Sequence, residues 1–351
     1  MKRIYSILTL LFCAINLSLA QSTFEVDGIC YKVVKEADEA NLFGLVEVYA
    51  KPAGTYQGDI AIPNATEHDG DSYKVIGISN GAFSSSRSLT SVSLPASIEY
   101  IGENAFQGCE SLYTVRLTYG NLTTIGPKAF FESGICEISL PSTIKTIGEE
   151  AFKRCTKLHT IKLPDSIESI GSGAFVSCLS LENITLPENL KRLEAYTFSN
   201  CQNIREIILP ATLNFIGESA FYSCYELYNL NLPTDLLEIQ SYAFEACGLK
   251  SLVIPEQVLR ISEGLFLECP NLTDITLPSN LREINNGAFQ ICTSLEAIEI
   301  PNSVTMLGEG IFFGCSSLRN VALPNSLRAI PKAMFKFCTS LDNISIPETV
   351  T

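Results

Sequence analysis

The residues best suited to chemistry in this 351-residue chain are its thirteen cysteines, its two histidines and its many carboxylates. Ten cysteines recur at nearly constant spacing: Cys109, Cys155, Cys178, Cys201, Cys224, Cys247, Cys269, Cys292, Cys315 and Cys338. Thiols in such a series can form disulfides, hold a metal or act as nucleophiles. Metal ligation favours close Cys-x-x-Cys pairs, and none occurs, while His68 and His159 lie elsewhere. Two isolated histidines give a nucleophile-and-base pair little material, and neither a phosphate loop nor a His-Glu-x-x-His string is present. The carboxylate pair Glu149-Glu150 falls in a turn, where solvated charge is the ordinary state. No catalytic residue, metal or cofactor is therefore assigned, and the chain is not expected to be an enzyme.

The spacing of the thiols belongs to a larger repeat. Each of the ten lies three residues after a phenylalanine of a second series running from Phe83 to Phe335, and Leu-Pro or Ile-Pro dipeptides keep the same period of about 23 residues. One unit reads Cys155-x-x-Leu158-x-x-Ile161-x-Leu163-Pro164-x-x-Ile167-x-x-Ile170-Gly171-x-x-Ala174-Phe175. The alternation Leu158, Ile161, Leu163 predicts a short half-buried strand. Proline ends it, having no N–H for a sheet ladder. Ile167 and Ile170 return inward along the opposite wall through short turns or 3-10 segments. Gly171 is expected to permit a tight turn, and Ala-Phe to fill the interior. So small a unit must stack on its neighbours, which predicts a solenoid with one strand per coil in a continuous, curved parallel sheet. Equivalent cysteines in stacked coils point the same way, which opposes the torsion a disulfide needs. The ten are therefore expected to be reduced and buried, packing each turn as small hydrophobes. Cys136 falls at an outward strand position because the loop before Ile135 is shortened, and Cys30 falls in the N-terminal segment.

The motifs Cys-x-x-Leu-x-x-Ile-x-Leu-Pro and Ile-Gly-x-x-Ala-Phe resemble the BspA-like (Treponema pallidum-type) leucine-rich repeats of bacterial surface proteins. The resemblance covers roughly residues 58–351. It implies a leucine-rich-repeat solenoid and, from members known to act, an adhesin that binds host matrix and plasma proteins or other bacteria.

Three segments are expected. Residues 1–20 read as a secretory signal, with Lys2-Arg3, an apolar run to Leu19 and cleavage after Ala20. Residues 21–57 read as a β cap, with a hairpin at Asp27-Gly28, and Asp69-Gly70 marks a second hairpin in an insertion of the first unit. Residues 58–351 form the array, which stops half-way through a coil, at Pro347-Glu-Thr-Val-Thr351, with no cap readable. Removing the signal takes the formal charge from -14 to about -16. Such a charge disfavours nucleic acid and anionic lipid, and no run beyond the signal is long enough for membrane insertion. The Asn-x-Ser/Thr sequences at Asn64, Asn121, Asn183, Asn271 and Asn343 are read as incidental.

Function is then sought on the strand face. Tyr113, Arg116, His159, Lys162, Arg205 and Tyr228 project outward there, and Tyr and Arg are enriched in interface hot spots. The expected partner is an extracellular protein or glycoprotein bound by a secreted or surface-displayed monomer. A structural spacer with no ligand of its own is the alternative.

Overall fold

The computed structural model describes residues 22–38, 42–342 and 344–351. The expected signal, its cleavage site and Asn343 lie outside the described residues. Strand β1 (Thr23–Val26) turns through Asp27-Gly28 into antiparallel β2 (Ile29–Lys35). Both turn residues have positive φ, 51° and 76°, the mirror-image turn that matches strand twist. Next come β3 (Gly44–Val48), antiparallel to β2, and β4 (Gly58–Ala61). Strands β5 (Ala65–His68) and β6 (Asp71–Ile78) form the second hairpin across Asp69-Gly70. Strand β6 lies parallel to both β3 and Tyr100–Ile101, so the cap continues into the array without an exposed joint.

Beyond the cap the chain is a solenoid, and no helix is assigned among the described residues. The first parallel ladder starts at β4 and runs through Leu89–Leu94, Thr114–Leu117, Glu137–Ser139 and Thr160–Lys162. A second ladder of two-residue strands runs through Tyr100–Ile101, Thr124–Ile125, Thr146–Ile147 and Ser169–Ile170. One strand per coil in one continuous sheet is thus corrected to two strands in most coils, in ladders with interruptions. The backbone of the second wall also needs partners once coils stack, and a parallel neighbour supplies them.

The third wall holds turns, and none of the expected 3-10 segments is assigned among the described residues. Its amides alternate between two destinations. Gly173, Phe175 and Ser177 donate to Ala195, Thr197 and Ser199 of the following coil, while Ala174, Val176 and Cys178 donate back within their own coil. Consecutive local bonds never accumulate, so no 3-10 helix can form.

Gly171 does not have positive φ; the left-handed residue lies two positions later, at Gly173 (φ 64°) or Glu150 (φ 52°) in the preceding coil. What Gly171 provides is contact, because a Cβ there would stand 2.5 Å from Glu149 N. Gly148, Gly217 and Gly308 meet the preceding backbone at 2.4–2.5 Å in the same way.

Twelve phenylalanines, Phe83 to Phe335, form one column through the core. Neighbouring rings stand 4.9–6.0 Å apart and nearly parallel. Tyr56 of the cap closes the column on Phe83 at 4.6 Å.

Candidate binding face

The proline-terminated strand points its intervening residues outward, and stacking turns them into columns. Tyr113, Cys136, His159, Glu182, Arg205, Tyr228 and Lys250 share one column, fixed by bonds such as Cys136 N to Tyr113 O, His159 N to Cys136 O and Arg205 N to Glu182 O. Arg116 and Lys162 belong to a parallel column, facing Ser93 and Ser139 respectively. Tyr113 and Tyr228 are five coils apart, roughly 24 Å at ~4.8 Å per strand step. The six residues therefore form a strip and do not converge on one pocket.

Their local partners differ. Arg116 sits near the Asp59 carboxylate, which accepts from Ser91 at 2.6 Å and Thr90 at 2.8 Å; those bonds, with Arg116, hold it below its ordinary pKa. Arg205 pairs with Glu182 at 3.7 Å, a screened surface contact. Tyr228 donates to Glu226 Oε2 at 2.9 Å, which raises the phenol's pKa, and Lys250 Nζ lies 5.0 Å from its ring centroid. Tyr113 and His159 are exposed.

Both tyrosines precede a shortened turn. Gly134 and Gly248 each lack room for a Cβ, at 2.1 Å from Glu110 O and 2.0 Å from Tyr225 O. The chain turns in early there, beside Tyr113 and Tyr228. The surface around Tyr228 holds further groups, with Ile208 49%, Val253 65% and Tyr225 50% exposed. Ile208 and Val253 occupy the Lys162 column, just before each strand's final Ile or Leu, so strand alternation alone marks them as outward. Tyr225 lies in the turn, and only the missing residue before Leu249 signals its exposure.

Nine of the ten series cysteines are buried and Cys338 is half-buried; Cys136 is half-buried and Cys30 buried. The series thiols are more than filler. Cys155, Cys178 and Cys201 donate S–H to the carbonyls of Phe130, Phe152 and Phe175 of the preceding coil at 3.0–3.2 Å. Ser86 and Ser133 fill the same place in two coils, and both are buried. The position holds a small side chain with a hydrogen-bonding tip. Burial pushes the Cys155 and Cys201 thiols up to about 12. The thiolate that metal or nucleophilic chemistry requires is thereby suppressed.

Gly77-Ile78-Ser79-Asn80-Gly81 has the spacing of a serine nucleophile elbow. Ser79 is buried, its hydroxyl has no hydrogen-bond partner, and a turn follows where the elbow requires a helix. No group of three or more His, Cys, Asp or Glu among the described residues is arranged to hold a metal.

The family described as "BspA type Leucine rich repeat region" matches in six copies, over residues 76–205, 155–272 and 260–351. Three crystal structures are similar. A leucine-rich repeat protein of Bacteroides ovatus is 26% identical, with a TM-score of 0.64, covering 93% of this chain and 95% of that one. A leucine rich cell surface protein of Faecalibacterium prausnitzii is 25% identical, with a TM-score of 0.53 and the same coverage of both chains. The T. pallidum leucine-rich repeat protein is 29% identical, with a TM-score of 0.50, over 59% of this chain and 91% of that one. No curated protein sequence matches.

Proposed function

Because the chain belongs to the BspA-type leucine-rich repeat family, we propose that it is an exported protein-binding module, an adhesin that recognises extracellular matrix or plasma glycoproteins, or other cells, through its strand face. The observation that carries this reading is the strip from Tyr113 to Val253. In a chain of formal charge -14, this face presents exposed aromatic, basic and apolar side chains together. Aromatic and arginine anchors in such a setting are where interface energy concentrates. The basic amino terminus and apolar run of residues 1–20 support export. The similar protein of F. prausnitzii, described as a cell surface protein, points the same way.

The test is binding of the chain from Gln21 to immobilised matrix and plasma glycoproteins at physiological salt, beside the Tyr113→Ala/Tyr228→Ala double variant. Saturable binding weakened at least tenfold in the variant is expected, since two hot-spot truncations at about 1–2 kcal/mol each exceed that factor. A folded array that binds none of them would favour a spacer.

A further inference from the structure

The two ladders break together at two boundaries among the described residues, the first of them between the coils of Cys155 and Cys178. No strand pairing joins Thr160–Lys162 to Asn183–Thr185 on the first wall, or Ser169–Ile170 to Arg192–Leu193 on the second. One coil earlier Gly171 N reaches Ile147 O at 2.8 Å, and one coil later Gly217 N reaches Leu193 O at 2.8 Å. The equivalent bond from Glu194 N to Ile170 O is not formed. On the third wall the boundary stays closed, through Gly173 N to Ala195 O, Phe175 N to Thr197 O and Ser177 N to Ser199 O, each at 2.9 Å.

A local cause stands at the second wall. Glu194 occupies the place of Gly171 and Gly217, where a Cβ would stand 2.5 Å from the preceding backbone. It thus brings a Cβ to a contact that those glycines leave open. A side chain there does not always part the coils, since Gln240 N and Asn285 N keep their bonds to Ile216 O and Ile261 O. The later boundary, between Glu238–Ile239 and Arg260–Ile261, is also unpaired. There, however, Lys250 N still reaches Tyr228 O on the first wall, and Ser262 Oγ reaches Ile239 O on the second. At the Glu194 boundary the links outside the third wall come from side chains at the corners: Ser180 Oγ to Thr156 O, and Asp165, which accepts from Glu188 N and Asn189 Nδ2.

Each opened wall carries a groove. One of about 480 Å³ lies on the strand face over Ile161 and Ile184, rimmed by Lys162, Glu188 and Glu206. Another of about 640 Å³ lies on the second wall between Ile170 and Arg192, beside Glu168 and Lys191.

We propose that the boundary between the coils of Cys155–Ser177 and Cys178–Asn200 is a bending joint, with the third wall as its hinge line. It divides the strand face: Tyr113, Arg116, His159 and Lys162 ride on the first block, Arg205 and Tyr228 on the second. Bending changes the reach between these groups and the width of both grooves, so one array can fit surfaces of different curvature. The joint follows from the backbone contacts and stands whatever the face binds.

Two measurements test it. Amide exchange at Asn183 and Glu194 should be at least tenfold faster than at Glu206 and Gly217, one coil on. Spin labels at Ser139→Cys and Ile208→Cys span the joint over three coils; labels at Ser93→Cys and Lys162→Cys span three coils within the first block. With Cys136→Ser and Cys338→Ser removing the two half-buried thiols, the pair across the joint should give a distance distribution at least twice as broad. Glu194→Gly should narrow it and slow exchange at position 194. Equal exchange and equal widths would overturn the joint. A broad distribution unchanged by Glu194→Gly would overturn Glu194 as its cause.

Discussion

Raising the pH should unfold this protein through its thiol column, with a steepness that counts coils. Burial lifts Cys109, Cys155, Cys201, Cys269 and Cys315 from about 9 to about 12, and it raises Cys178, Cys224, Cys247 and Cys292 well above 9 as well. Below pH 8 these thiols are protonated whether the chain is folded or not, and stability does not depend on them. Above pH 9 the unfolded chain loses the protons while the folded chain keeps them, so the unfolded state is favoured. Each thiol then removes about 1.4 kcal/mol per pH unit until the pH approaches its folded value. If all nine are exposed together, the slope is about 12 kcal/mol per unit, comparable to the whole stability of an ordinary domain. If coils open in blocks, as stacked repeats can, the slope divided by 1.4 gives the number of thiols in the block. Urea unfolding in reducing buffer, repeated from pH 7.5 to 10.5, measures it. Replacing Cys201 by Ser should lower the slope by one thiol, and buried serines at positions 86 and 133 show that the place accepts a hydroxyl. Stability that stays flat between pH 8.5 and 10 would refute the buried, protonated column.

Native-state labelling should modify Cys136 first, with the nine fully buried thiols of the series reacting only after unfolding. Rapid labelling of several of them would contradict the packing seen here. Gly217→Ala would place a Cβ 2.5 Å from Ala195 N and should force the second-wall pairing of Arg192–Leu193 with Phe215–Ile216 apart, costing about 1–3 kcal/mol in urea unfolding. Ile291 holds φ 61°, a conformation that β-branched side chains disfavour, so Ile291→Asn should stabilise by about 1 kcal/mol. A loss of stability there would show that the packing of the Ile291 side chain outweighs the backbone strain.

The candidate face was partly legible in the sequence. Strand alternation marks which side chains project, so the columns of Tyr113 and Lys162 follow from residue order. Which members meet does not follow from it: Lys250 over Tyr228 and Arg116 near Asp59 depend on neighbours about a coil away or more.

The 23-residue period, the inward set of Leu, Ile, Ala and Phe, the cap hairpin and the solenoid itself were determined by the sequence alone. Each rests on a local rule: strand side chains alternate with period two, proline ends a ladder, and a unit too small to stand alone must stack. The second ladder, the contact role of Gly171, the S–H bonds to Phe carbonyls and the open boundary at Glu194 were decided only by tertiary structure. All four depend on how closely the backbones and side chains of neighbouring coils approach. A side chain such as Glu194, standing where other coils have Gly171 and Gly217, leaves the repeat pattern almost untouched.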